Sequence, residues 1–426
     1  MSSLLFPALL LVGPAVHAFG IVGQYHPYGL TPSTWYQPDS HPVHALFRRA
    51  SGDDGVAYAS VGSPEWSKGF PADPGSMQNM PQAWLDALNK AVAAGKIPDV
   101  PVTTTPPGSN PTYPDGYDPM SPDVCSATYQ CRIPDDIWDG PDGYLSLSFD
   151  DGPLPPSPTL YKFLKQKDQH ATHFYIGTNI LQHPDCFKMA WDNQDDIAVH
   201  TWTHPYMTTK TNEEVLAELG WTMQLIHNST GGRVPKYWRP PYGDSDMRVR
   251  AIAKEVLGLT TVIWNQDTND WSLSDPVPIT SMDKIATQMH TWLTGPKKPG
   301  LIILEHELSN QSVQAFIDAW DLVVSNGWKT TSVAQMGGSS AYQNSWNATS
   351  PVTQAKVADL SVHPPPVQAV ASTTSQVKAM PSPSAPAKSS RPNHAGNKSS
   401  ASHHSATLAT LGIAGLVVVA TVYVLS

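Results

Sequence analysis

The sequence predicts an α/β fold on a parallel sheet, open or closed as a barrel, and three observations carry that prediction. Between about Gly143 and Met336, short β-rich runs alternate with helical patterns, the mark of strand–helix–strand units. Polar clusters recur just after the β-rich runs, where a parallel sheet gathers its functional side chains on one rim. The 426 residues are 40% hydrophobic and include only 3 cysteines, so a sizeable core, not a disulfide scaffold, must hold the fold. Cys125 with Cys131 is the favoured bridge, leaving Cys186 unpaired, although the sequence alone leaves the pairing open.

In chain order, residues 1–18 read as a secretory signal. An apolar run, Leu4 to Val12, precedes Val16-His17-Ala18, whose small residues suit cleavage after Ala18. Residues 19–135 are rich in Pro, Gly, Ser and Asp without sustained period. They form an irregular leader with one amphipathic helix from Pro81 to Ala94, stopped by Gly95. Arg48-Arg49 reads as a solvated pair or a processing site. Residues 136–336 form the α/β domain. Its β-rich segments are Tyr144 to Phe149, Thr172 to Gly177, Ile197 to His200, Lys236 to Trp238, Thr260 to Asn265, Leu301 to Glu305 and Trp328 to Ser332. Its helical patterns are Leu160 to Lys167, Glu213 to Asn228, Asp246 to Leu257, Met282 to Leu293 and Val313 to Asn326. Residues 337–400 turn to Ser, Thr, Pro and Ala, the composition of a disordered, O-glycosylated stalk.

The tail from Leu408 to Leu425 is apolar and has no basic residue behind it. Small residues at Ser399, Ser400 and Ala401 precede it, with Asn397 an equal alternative cut site. Residues 401–426 therefore read as a glycosylphosphatidylinositol signal that is removed as the lipid is attached. Acceptor sequons begin at Asn228, Asn310, Asn347 and Asn397, as befits a secreted chain. The formal charge of −10 argues against a nucleic-acid partner, whose phosphates require a basic footprint. No obligate protein partner is evident.

The stretch S-L-S-F-D-D-G-P, Ser146 to Pro153, places two adjacent carboxylates where an apolar strand turns into a loop. There, one can hold a metal while the other handles a proton. His200 and His204, four apart in H-T-W-T-H-P, can point both imidazoles one way. Two neutral imidazoles and a carboxylate make an open catalytic metal site. Alone, such a pair is often incidental, and Asp150-Asp151 could be an ordinary turn. Three more clusters fall on the same rim: Arg239 to Gly243, Asp267 to Trp271, and Leu304 to Glu307.

The order F-D-D-G-P, H-T-W-T-H, R-P-P-Y-G, D-T-N-D-W and L-E-H resembles the five motifs of the polysaccharide deacetylase family, carbohydrate esterase family four, and most closely its fungal chitin deacetylases. The resemblance covers about Gly143 to Met336 and implies a distorted (β/α) barrel. It departs at Ser148, where Thr is common, and at Glu307, where many bacterial members have Asp. It also implies one divalent metal ion, zinc or cobalt, held by Asp151, His200 and His204. Asp150 would be the general base, oriented and tuned by Arg239, and His306 the general acid, tuned by Asp270. Tyr242 would give a backbone N–H to the oxyanion, and Tyr242, Trp271 and Leu304 are the expected substrate contacts. Trp238, Trp264 and Trp271 suit either sugar stacking or the core. The implied reaction is N-deacetylation of N-acetylglucosamine units in chitin, by an enzyme that is extracellular, lipid-anchored at the plasma membrane or in the cell wall. Deacetylation of another polysaccharide, or an inert wall mannoprotein, are the alternatives.

Overall fold

The computed structural model describes residues 54–72, 79–106 and 109–361. The expected signal at 1–18, the Arg48-Arg49 pair and the tail with Asn397, Ser399, Ser400 and Ala401 lie outside the described residues.

Eight strands, all paired in parallel, build the sheet: β1 (Tyr144–Asp150), β2 (Thr172–Tyr175), β3 (Asp196–Val199), β4 (Tyr237–Trp238), β5 (Thr260–Thr261), β6 (Gln266–Asp267), β7 (Ile303–Leu304) and β8 (Lys329–Ser332). Six run in the order β5-β4-β3-β2-β1-β8, and β6 pairs with β7. β1 is the hub. Its backbone alternates between two edges: Tyr144, Ser146 and Asp150 bond to residues 301–307, while the register with β8 and then β2 occupies the other side. Parallel bridges Leu145↔Leu301 and Asp150↔His306 thus join the two-stranded pair to β1. The segment before β1 spans the remaining gap through Ile137↔Val262 and Gly140↔Gly300. The sheet therefore curls into the expected distorted barrel, its ladder interrupted, with the strands' C-terminal ends converging.

Nine helices accompany it among the described residues: α1 (Pro64–Ser67), α2 (Gln82–Ala93), α3 (Ser157–Gln166), α4 (Gly177–Gln182), α5 (Pro184–Asp192), α6 (Asn212–Ser229), α7 (Met247–Leu257), α8 (Met282–Leu293) and α9 (Asn310–Ser325). The longest, α6, starts with a capping box in which the Thr211 hydroxyl takes the Glu214 N–H and the Glu214 carboxylate takes the Thr211 N–H. α4 and α5 fall where no helical pattern was expected. Each is shorter than three full turns, and Pro184 starts the second, so neither shows a sustained period.

The leader is irregular in backbone but not loose. Trp66, Trp84 and Leu88 are buried in the main core, and Trp66 Nε1 donates to Ser229 Oγ at 2.8 Å. α2 packs on α6 and α7, where Gly220 makes room for the Trp84 ring: a Cβ there would lie 2.7 Å from it. Cys125 and Cys131 form the disulfide, and Cys186 is free.

One boundary needs correction. Packed chain continues past Met336: Tyr342, Asn344 and Ser345 are fully buried, and Ala355 and Val357 join the core. The Ser, Thr, Pro and Ala composition suggested a stalk from 337, but the first part of that stretch is held by hydrogen bonds, as where Asn344 accepts from Val234 N and donates to Gly232 O. Among the described residues no helix is long and apolar enough to cross a membrane.

Candidate metal centre and its catalytic surroundings

In a continued strand Asp150 and Asp151 would face opposite sides of the sheet. Asp151 instead adopts φ 69°, a left-handed conformation that non-glycine residues rarely enter, and this turns its carboxylate beside that of Asp150. His200 Nε2 accordingly lies 3.3 Å from Asp151 Oδ1 and 3.9 Å from Asp150 Oδ2. Of the ten non-glycine residues with positive φ among those described, five are in the loops on this rim: Asp151, Thr201, His204, Tyr242 and Asn269. Backbone strain of this kind, about 1–3 kcal/mol each, persists where the surroundings over-determine it and concentrates at functional sites.

His200 follows β3 and His204 closes the next turn, its Nε2 3.2 Å from the same Asp151 oxygen. The Arg239 carbonyl accepts from His200 Nδ1 at 2.7 Å, so Nδ1 carries the hydrogen and Nε2 presents its lone pair to Asp151. The three ligand atoms lie within 4.8 Å of one another. Asp151 Oδ1 is buried and takes no hydrogen bond that meets normal geometry. A carboxylate oxygen and imidazole nitrogens converging on one point, with no proton donor to reconcile them, fit a divalent cation. Burial by itself would raise the Asp151 carboxyl. The imidazoles of His200 and His204 beside it, with the charge of His306, outweigh burial and hold it well below the ordinary carboxylate range.

Two further pairs flank the triad. Arg239, fully buried after β4, donates through Nη1 to Asp150 Oδ1 at 2.6 Å and through Nη2 to Ser148 Oγ at 3.0 Å. The Phe174 ring lies under its guanidinium at 4.2 Å. Across the rim, Asp270 grips His306 twice: Oδ1 accepts from Nδ1 at 2.6 Å and Oδ2 from the backbone N–H at 2.9 Å. Burial disfavours the His306 imidazolium, but Asp270, then Asp151 and Asp150, more than reverse this and push its pKa up to about 10. His306 Nε2 faces the triad, 4.0 Å from Asp151 Oδ2.

All seven metal and proton-transfer candidates thus meet on one rim. Tyr242 and Trp271 are there too, 52% and 39% exposed, and Tyr206 stacks on Tyr242 with ring centroids 4.1 Å apart. Leu304 is buried at the end of β7, its carbonyl accepting from Thr268. Trp238 is fully buried and belongs to the core, and Trp264 packs over Gly243 and Arg239. Asn310 is exposed at the start of α9, whereas Asn228 on α6 and Asn347 in a turn are half-buried.

Some contributors carry no sequence signal of their own. Thr201 Oγ1 accepts from His204 N, and Glu218, from α6, grips the turn between the two histidines. Glu307, the motif departure, faces away from the site. It accepts from Tyr161 at 2.6 Å and pairs with His173 at 2.7 Å, and the charges of Glu307 and Asp195 override burial to raise His173 to about 10. Only the fold brings these partners together, so spacing could not have revealed them.

The fold and site define a class: an α/β barrel whose rim combines an open two-histidine, one-carboxylate cation site with a guanidinium-paired carboxylate and a charge-backed histidine. Residues 139–262 match the family model described as polysaccharide deacetylase. The chain is 44% identical over 320 residues, 74% of its length and 75% of the relative's, to "Chitin deacetylase 3" of Cryptococcus neoformans var. neoformans. It is 37% identical over 215 residues, 50% of this chain and 68% of the relative, to "Chitin deacetylase 1" of Saccharomyces cerevisiae. The solved chitin deacetylase of Colletotrichum lindemuthianum is 24% identical, with a TM-score of 0.44 over 49% of this chain and 94% of that one. This chain belongs to the polysaccharide deacetylase family.

Proposed function

We propose that this protein is a chitin deacetylase, which hydrolyses the N-acetyl groups of N-acetylglucosamine units to give free amines and acetate. The observation that carries this reading is the meeting, on one rim, of the Asp151–His200–His204 triad with Asp150 on Arg239 and His306 on Asp270. The names of the relatives supply the polymer.

Asp151, His200 and His204 would hold one divalent cation, zinc or cobalt. When bound, it supplies Lewis acidity to the acetamide carbonyl and acidifies a water. The protein's own groups do the rest. Asp150 takes a proton from the attacking water, its carboxylate aimed by the Arg239 guanidinium. The backbone N–H of Tyr242 donates to the oxygen that gains negative charge on attack. His306, an imidazolium at neutral pH by virtue of Asp270, gives its Nε2 proton to the leaving nitrogen as the C–N bond breaks. Water adds to the acyl carbon, the amine departs neutral, and acetate remains. Trp271 and the Tyr206–Tyr242 stack offer aromatic faces to sugar rings, and Leu304 lines the acyl end.

The signal at 1–18, the sequons at Asn228, Asn310, Asn347 and Asn397, and the tail with its cut site at Asn397, Ser399, Ser400 or Ala401 support an extracellular, lipid-anchored enzyme. Phosphatidylinositol-specific phospholipase should release it from membranes, and retention would refute the anchor.

The activity test is acetate release from chitin oligomers before and after chelation. Loss on chelation with recovery on adding zinc or cobalt is expected, and no release under any metal condition would overturn the proposal.

A further inference from the structure

Resting on the triad as a metal site, we infer that Glu218 is a positioning residue: its buried carboxylate is the clamp that holds the His200–His204 loop in metal-binding form. The loop is strained at two of its five residues, Thr201 at φ 67° and His204 at φ 62°, and Thr201 is β-branched, for which such a conformation is a true outlier. A loop of this shape relaxes unless something fastens it.

One side chain takes both backbone N–H groups between the strained positions, while the Thr201 and Trp202 carbonyls accept from Gly177 N and Thr178 N at 3.0 and 3.1 Å. Glu218 Oε2 accepts from Trp202 N and from Thr203 N, each at 2.8 Å, and Oε1 accepts from the Thr203 hydroxyl at 2.8 Å. Glu218 is 3% exposed and reaches the loop from the second turn of α6. Thr203 alone gives it a backbone and a side-chain hydrogen bond, and among the described residues no cationic side chain pairs with it, so the carboxylate's polar partners are the loop itself. Burial raises its pKa, and the hydrogen bonds from Thr203 and Trp202 offset only part of that rise.

Packing fixes the loop from its other side. The Trp202 ring is buried, stacks on Phe70 at 6.0 Å, and fills the space over Gly177 that a Cβ would need. With Trp202 immobilised and two N–H groups held by Glu218, His200 and His204 have their nitrogens aimed before any ion arrives. The cost of ordering the loop is then met in folding and not subtracted from metal affinity.

The conservative variant separates clamp from filler. In Glu218→Gln the amide oxygen can take the two backbone N–H groups while its NH2 donates to the Thr203 hydroxyl. In Glu218→Ala three donors lose their acceptor. The experiment measures the zinc dissociation constant of the full-length protein, wild type and variants, by competition with a chromogenic chelator, alongside the visible spectrum of the cobalt form and metal-free thermal melts. Glu218→Ala should bind zinc roughly 10- to 100-fold more weakly, the usual effect of removing a partner that orients a ligand, with an altered cobalt spectrum. Glu218→Gln should recover most of the loss. A folded Glu218→Ala that binds zinc as tightly as wild type overturns the inference. Should Glu218→Ala not fold, Thr203→Val removes one donor without touching α6. It should weaken binding by about 2- to 10-fold, the worth of one net hydrogen bond, and unchanged affinity there overturns the inference equally. If wild type itself binds no zinc, or His200→Ala binds it undiminished, the metal site has failed first and the clamp with it.

Discussion

Asp270→Asn isolates the charge behind His306. In the wild type, Asp270 touches this residue at two points, 2.6 Å from Nδ1 and 2.9 Å from the backbone nitrogen. Both groups are buried, so solvent screens the pair little. A carboxylate at this range raises an imidazole by about 1–3 units, about 1.4–4 kcal/mol in favour of the imidazolium. With His306 at about 10, the variant should titrate near about 7–9. The sign is fixed by the role. The protonated form donates to the leaving amine, so activity is lost as pH rises through the His306 pKa, and the alkaline limb of kcat must move down. A cation on Asp151 removes that carboxylate's support and lowers the wild-type limb below 10, but the displacement caused by Asp270→Asn remains. Stability follows the same sign: the pair's contribution is complete below the unfolded histidine value of ~6.5 and is lost as pH climbs toward 10. The acid limb should stay in place, since the substitution leaves the Asp150–Arg239 pair untouched. Acetate release against pH, with the His306 Cε1 proton followed by NMR in the metal-free protein, reads both. An alkaline limb and a His306 titration that coincide with wild type, in a folded Asp270→Asn, would refute the reasoning.

Three other outcomes follow from the same structure. His200→Ala and His204→Ala should each lose bound metal and activity together, and elemental analysis showing stoichiometric metal with activity in the double variant would exclude the triad. Gly177→Ala would drive a methyl into the Trp202 ring, so a loss of about 1–3 kcal/mol should appear in chemical denaturation, accompanied by weaker metal retention. Trp84→Ala, which empties a site packed against Gly220 and Trp221, should cost about 3–5 kcal/mol in urea unfolding while both pH limbs stay fixed. A shifted limb there would mean that the leader acts on the chemistry directly.

The site was legible because its chemistry is local. Asp150-Asp151, His200/His204 and Arg239 each sit in short stretches whose turn residues and apolar approach mark a strand end, and parallel topology then does the gathering. The alternation of strands and helices also survived in the pattern, α2 falling at Gln82–Ala93 where Pro81 and Gly95 bracket it. What stayed hidden is relational. Nothing near Glu218 in the sequence points to Trp202, 16 residues away, and nothing near Trp66 points to Ser229, 163 residues away. The leader reads as irregular because its proline and glycine deny it a period, yet its few large aromatics are enough to seal it to α6. Composition likewise misplaced the end of the packed chain, since serine and threonine look alike in a stalk and in a loop that Asn344 and Gln343 tie to the residues around Val234.

The left-handed turn at Asp151 bears on how such a centre could be moved. A scaffold given the same seven side chains at matching strand ends, but with an ordinary extended residue after the first aspartate, would hold its proton acceptor on one face and its ligand on the other. Grafting would have to copy a torsion angle as well as a residue list, along with the glycine that follows, where a Cβ would collide with Glu307. The transplantable unit is therefore the bent tripeptide Asp150-Asp151-Gly152 together with the buried floor beneath it.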